Sequence, residues 1–138
     1  MNKMNKKIGM LSNFTVATLF SVIGLIYLFY GSPITFMPEI GYIDQTESVM
    51  IGLTKIVSGG YLSISIAIFI LQKNISLTKS KWIPLAIFLS GLILTLMSIY
   101  ATLNVVYNSL PIPIIIYWVL TILLLIGYFF NYRYLKKQ

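Results

Sequence analysis

The hydrophobic and polar positions along the chain fall into four long apolar runs joined by three short polar stretches. The runs cover approximately residues 10–30, 48–71, 82–103 and 112–130. A hydrocarbon core about 30 Å thick takes roughly 20 helical residues at 1.5 Å rise each, so every run reaches spanning length. The apolar residues follow one another without the strict alternation of a membrane β-strand. The expected fold is therefore all-α, an integral membrane four-helix bundle forming a single domain over residues 1–138. The connections "GSPITFMPEIGYIDQTE", "QKNISLTKSK" and "NVVYNSLP" carry the turn and polar residues. Pro84 falls in the first turn of the third run, and Pro111 and Pro113 at the start of the fourth, where a missing backbone N–H costs little. The first run is longer than a signal-peptide core, and no small-residue cleavage motif follows it, so it is expected to remain as a helix.

Charge gives these helices a direction. Lys3, Lys6 and Lys7 precede the first run, Lys73, Lys79 and Lys81 fill the second connection, and Arg133, Lys136 and Lys137 follow the fourth run. All three acids, Glu39, Asp44 and Glu47, lie in the first connection. Basic residues are retained on the cytoplasmic side of a membrane, which predicts an N-in/C-in topology with the second connection also inside. Trp82, Tyr128, Tyr132 and Tyr134 then sit near the inner interface, and Tyr30, Tyr42, Tyr107 and Tyr117 near the outer one, as aromatic belts.

Composition narrows the chemistry. The chain is 58% hydrophobic and 9% charged, with a mean hydropathy of +0.89, more apolar surface than a water-exposed domain of this size can cover. With no Cys and no His, disulfides, thiolate sites and the usual neutral-pH general base are excluded. No catalytic residue, metal or cofactor is expected. The net charge of +7 is divided into short clusters between apolar runs, unlike the continuous basic face of a nucleic-acid binder. The expected partners are the lipid bilayer and a membrane protein or another copy of the chain. Frequent Ile, Asn and Lys fit an AT-rich bacterial genome and hence a multi-pass protein of the bacterial cytoplasmic membrane.

The candidate site lies in "TESVMIGLTKIVSGGYLSISIAIFIL", where Lys55 interrupts an apolar run. A lysine at the centre of a spanning helix costs about 2.5–3.5 kcal/mol on insertion scales, which asks for a partner or a use. With the helix beginning near Ser48, Lys55 lies roughly 10 Å below its outer end. Glu39, Asp44 and Glu47 are the candidate outer partners. Ser58, Gly59, Gly60 and Ser65 share its helix, and Thr95 and Ser98 recur on one face of the third run. Two readings stay open. In one, Lys55 ties the acidic connection to the bundle and the small residues are helix contacts. In the other, an inward ammonium and a hydroxyl stripe receive an anionic or carbonyl-bearing head group.

The order of these features, with "GSPITFMPEI", "DQTES" and a basic residue ahead of "GGYLSISI", resembles the DoxX-like small four-helix membrane proteins, in a branch defined only as a domain of unknown function. Lys55, Gly59, Gly60 and Leu62 match its motif, with Lys in place of the more usual Arg. Such relatives carry a further Arg in the third span and an acid in the fourth. Neither stands in "LMSIYATLNVVY" or "YWVLTILLLIGYFF". The resemblance implies the fold more than an activity.

The main functional expectation is a non-enzymatic accessory or interaction subunit. The alternative is a binder or transporter of a small lipid- or quinone-like amphiphile with Lys55 in the site, and a lipid or quinone enzyme is the least supplied with side chains. A reporter fused to the C-terminus is expected to read cytoplasmic; an external reading would overturn the N-in/C-in topology.

Overall fold

The computed structural model of the chain describes residues 2–29, 45–104 and 112–136. These residues form four helices, all long and apolar enough to cross a membrane: α1 Asn2–Phe29, α2 Gln45–Thr78, α3 Trp82–Asn104 and α4 Ile114–Lys136. Neighbours run antiparallel, so residues near 2, 78, 82 and 136 share one end of the bundle, here the basal end. The opposite end is distal. Around the ring, α1 packs against α2 and α4, and α4 also packs against α3, while α2 and α3 touch most lightly.

The helices outrun the apolar segments at the basal end. α1 starts within the lysine-rich "NKMNKK", and α2 continues through "QKNISLT", which the sequence pattern assigned to a connection. Thirty-four residues make α2 about 50 Å long, and its candidate span is only Gly52–Ile75. The helix stops where Lys79 takes φ 52°, the left-handed conformation that closes many helices, usually at glycine. The Ser80 hydroxyl then accepts from the Trp82 backbone N–H at 3.4 Å, a capping contact at the start of α3. Pro84 lies in the first turn of α3, as its missing donor permits. Pro113 stands just before α4, and its carbonyl accepts from the Ile116 N–H at 3.0 Å. Pro111 lies outside the described residues, as do residues 30–44 with the expected belt residues Tyr30 and Tyr42.

On α1 the buried positions include Asn13, Val16, Ala17, Phe20, Ile23 and Tyr27, the three- and four-residue spacing of one helical face. They meet Ile68 and Ile75 of α2 and Leu120 and Leu124 of α4 in one core that also takes Ile87 and Ile99 of α3. Tyr117 belongs to this core and is fully buried, whereas its position suggested an interfacial belt. The reason is orientation: Tyr117, Leu120 and Leu124 form the inward face of α4, and its phenol meets Tyr27 OH at 3.1 Å. Tyr134 is likewise buried, while Trp82 stays 76% exposed, as a belt residue would.

Close helix approach depends on two glycines, Gly24 of α1 and Gly91 of α3. A methyl on Gly91 of α3 would meet Leu124 Cδ2 at 2.7 Å, and one on Gly24 of α1 would meet Leu62 Cγ at 2.9 Å. Gly52, Gly59 and Gly60 have open space where a Cβ would stand. Gly91→Ala is therefore expected to destabilise the bundle by about 1–3 kcal/mol, the usual cost of overpacking. Gly59→Ala is expected to be neutral or slightly stabilising, since it adds helix propensity without a collision. Unfolding titrations in mixed micelles check both, and equal stability of the two variants would contradict this packing.

Candidate functional site

The hydroxyls that the sequence grouped as a polar stripe are consumed in pairing helices. Ser58 Oγ donates to the Gly24 carbonyl at 2.7 Å, and Ser65 Oγ donates to the Ala17 carbonyl at 2.7 Å, both from α2 to α1. Because Ser65 spends its hydrogen there, Ser21 is the donor in the 2.7 Å Ser21–Ser65 contact. Thr95 on α3 donates to Leu92 O at 3.0 Å and accepts from Thr121 Oγ1 of α4 at 3.2 Å. Ser98 donates to Leu94 O at 2.8 Å, so Tyr61 OH of α2 is the donor to Ser98 Oγ. Ser58 and Ser65 thus work at the α1–α2 seam, and Thr95 and Ser98 on α3. The structure does not gather the four around one ligand position.

Lys55 lies elsewhere. The inward ammonium considered from sequence is not what the structure contains: Lys55 is exposed on the outside of α2. Ser58, Tyr61, Ser65, Ile68, Gln72 and Ile75 face the core, which turns Gly52, Lys55, Gly59, Ser63 and Ala67 outward. Gly60 is half-buried. Since the candidate span begins at Gly52, Lys55 is only about 5 Å from its distal edge, within the reach of a snorkelling lysine stem. Glu39 and Asp44 lie outside the described residues, and so does the side chain of Glu47.

The most concentrated buried polarity sits near the basal end, on residues the sequence reading passed over. Gln72, expected in a connection, is inside the bundle and joins Asn13 of α1 to Asn131 of α4. Its Oε1 accepts from Asn13 Nδ2 at 2.6 Å and from Asn131 Nδ2 at 3.1 Å, and its Nε2 donates to Asn131 Oδ1 at 3.4 Å. Two glycines make room for this network. A methyl on Gly127 would lie 2.8 Å from Asn13 Cγ, and one on Gly9 would lie 2.7 Å from Asn131 Oδ1. The arrangement is reciprocal: each amide of one helix rests on the glycine of the other. Ser12 Oγ adds a 2.6 Å bond to Leu123 O across the same α1–α4 seam. Asn13 Oδ1 is a buried oxygen with no hydrogen-bond partner, facing the Gly127 backbone. The signal for this cluster was present as single amides in otherwise apolar stretches. Asn13 stood in the sequon-like "NFT", and Gln72 and Asn131 fell just beyond the estimated span ends.

At the distal end the buried phenols form the second polar group. Tyr27 and Tyr61 rings stack at 6.0 Å, Phe20 flanks Tyr61 at 5.6 Å, and Tyr27 OH meets Tyr117 OH at 3.1 Å. Among the described residues no cluster of His, Cys, Asp or Glu is able to hold a metal ion. What the described interior does show is donor–acceptor pairing between helices. No family model, curated protein or solved structure matches the chain.

Hydrogen bonds between spanning helices contribute about 0.6 kcal/mol on average and up to about 1.7 kcal/mol. Ser58→Ala is expected to cost an amount near the average. Gln72→Leu, which strands two amides at once, is expected to cost about 1–3 kcal/mol. Unfolding in mixed micelles or bilayers gives the comparison; a neutral Gln72→Leu would remove the amide network from the account of stability.

Proposed function

We propose that the chain is a small multi-pass protein of the bacterial cytoplasmic membrane, with both termini inside, acting as a non-enzymatic accessory or interaction subunit. The observation that carries this reading is the division of its polar groups. Many of those inside the bundle bond across helices, and the outward side of α2 sets Gly52, Gly59, Ser63 and Ala67 between the exposed Ile56, Ile66 and Ile70, leaving small notches in an apolar surface. Small residues let a second transmembrane helix approach closely, whereas acyl chains gain nothing from them. Lys55 flanks this face near its distal end and supplies a charge to a partner at the interface. The DoxX-like resemblance carried by Lys55, Gly59, Gly60 and Leu62 belongs to the same proposal and is compatible with four helices.

Purification of the full chain from native membranes in mild detergent is expected to bring down a stoichiometric membrane protein, or a second copy of the chain. Gly59→Ile, whose side chain enters open space in the isolated bundle, is expected to release that partner while the fold survives. If no protein is retained, and a bound amphiphile is instead lost in Lys55→Gln, the binder reading replaces this one.

A further inference from the structure

The last two turns of α4 combine features that the helix-pairing account does not use. Phe129, Tyr132, Arg133 and Lys136 follow at three- and four-residue steps, so they share one side of the helix. All four are outside the core, whereas Asn131, Tyr134 and Leu135 between them are buried. The Arg133 guanidinium lies 4.4 Å from the centroid of the Phe129 ring. A guanidinium placed over a ring face still has N–H donors to offer, and its planar fork matches two oxygens of one phosphate. Tyr132 is braced from the side, its ring 5.9 Å from Tyr128, which stacks at 5.3 Å on Phe88 of α3. Lys136 adds a point charge one turn beyond Tyr132.

The surroundings select the ligand. The patch sits at the basal limit of the candidate span Ile114–Lys136, at the level where a headgroup would lie. Toward the distal end the same side of α4 continues as Leu125 and Ile122, 49% and 56% exposed, an apolar track leading away from the charge. An anion attached to an acyl chain satisfies both halves; a soluble acidic partner would leave the track uncovered. The remaining basic residues of the basal clusters are the lysines of α1, Lys73 of α2, Lys79 and Lys81 of the α2–α3 turn, and Lys137, and the chain's three acids all lie between residues 39 and 47 of the sequence. Among the described residues no carboxylate side chain stands at this end.

We propose that Arg133, Lys136 and Tyr132 form a binding site for the phosphodiester of an anionic phospholipid, with its acyl chain along Phe129, Leu125 and Ile122. The site rests on the membrane reading above but on neither the proposed protein partner nor the N-in orientation. Phosphate oxygens accept from the N–H donors of the guanidinium, from the ammonium and from the phenol, and no bond is made or broken.

The test is native mass spectrometry of the full chain, purified in mild detergent with phosphatidylglycerol in an excess of phosphatidylcholine. Retained phosphatidylglycerol is expected to fall roughly fivefold in Arg133→Gln and in Lys136→Gln, the effect of about one basic residue at a membrane surface. Arg133→Lys, which keeps the charge and loses the flat fork, is expected to fall between Arg133→Gln and the parent chain, and it also serves if Arg133→Gln does not fold by circular dichroism. Lys55→Gln at the distal end is expected to retain the lipid as the parent does. The proposal is overturned if the Arg133 variants keep the parent's preference. It is equally overturned if Lys7→Gln lowers retention as much as Arg133→Gln, because the cause is then the diffuse field of the basal end. Displacement of the lipid by excess inorganic phosphate would also overturn it, by making the site one for free phosphate. Failure on any of these counts leaves the copurification of a protein partner untouched, so the two readings fail separately.

Discussion

The amide–glycine contact between α1 and α4 is the constraint around which the rest of the bundle is arranged. Asn13 and Asn131 are wholly buried, and each lies against a glycine of the facing helix, Gly127 and Gly9. In an apolar solvent, burial of apolar surface gives little drive for helices to meet, so contact distance and polar pairing decide how they associate. Glycine brings the backbones together, and the amide fills the space that the missing side chain leaves. Gln72 then ties α2 to both helices through the same oxygens and nitrogens. A shift of one residue along the α1–α4 seam would replace both glycines by side chains and separate the amides. The network thereby fixes the antiparallel register as well as adding hydrogen bonds.

Polar groups elsewhere repeat this use of side chains as helix couplers. At the distal end, Tyr27, Tyr61 and Tyr117 meet from three helices, and Ser58 and Ser65 bond directly to the α1 backbone. An unpaired polar atom in hydrocarbon costs several kcal/mol, so each of these groups restricts which helix faces are able to touch. The interior is in this way committed to its own assembly. The two proposals of function both fall on the outside: the small residues of α2 near Lys55 and the basic, aromatic end of α4. These two surfaces lie on different helices, α2 and α4, so the proposed protein partner and the proposed lipid headgroup would not compete.

The four helices were legible because spanning length and continuous apolarity are properties of consecutive residues, and the bilayer thickness sets one scale for both. Their basal ends were not. "QKNISLT" reads as a connection by polarity, yet α2 runs through it because Gln72 and Ile75 have partners in the bundle that reward continued helix. Of the candidate site, Ser58, Ser65, Thr95 and Ser98 are visible in the sequence as hydroxyls within apolar runs. Whether they line a cavity or a seam depends on which helix stands opposite, and spacing within one helix carries no such information. Lys55 illustrates the same limit: its depth follows from where the span begins, and its direction from the rotation of α2 about its own axis.

By itself the sequence determined the solvent class of the chain, the number and approximate extent of its helices and the segregation of nine basic residues to one end, all consequences of local composition and one-dimensional order. Only the tertiary structure decided which face of each helix is inside. That choice buried Tyr117, turned Lys55 outward, joined Asn13, Gln72 and Asn131, and laid Arg133 on Phe129. The physical reason is that four nearly uniform apolar helices have weak amphipathic patterns, so their rotation is set by a few glycine clearances and polar pairings between residues as far apart as Asn13 and Asn131.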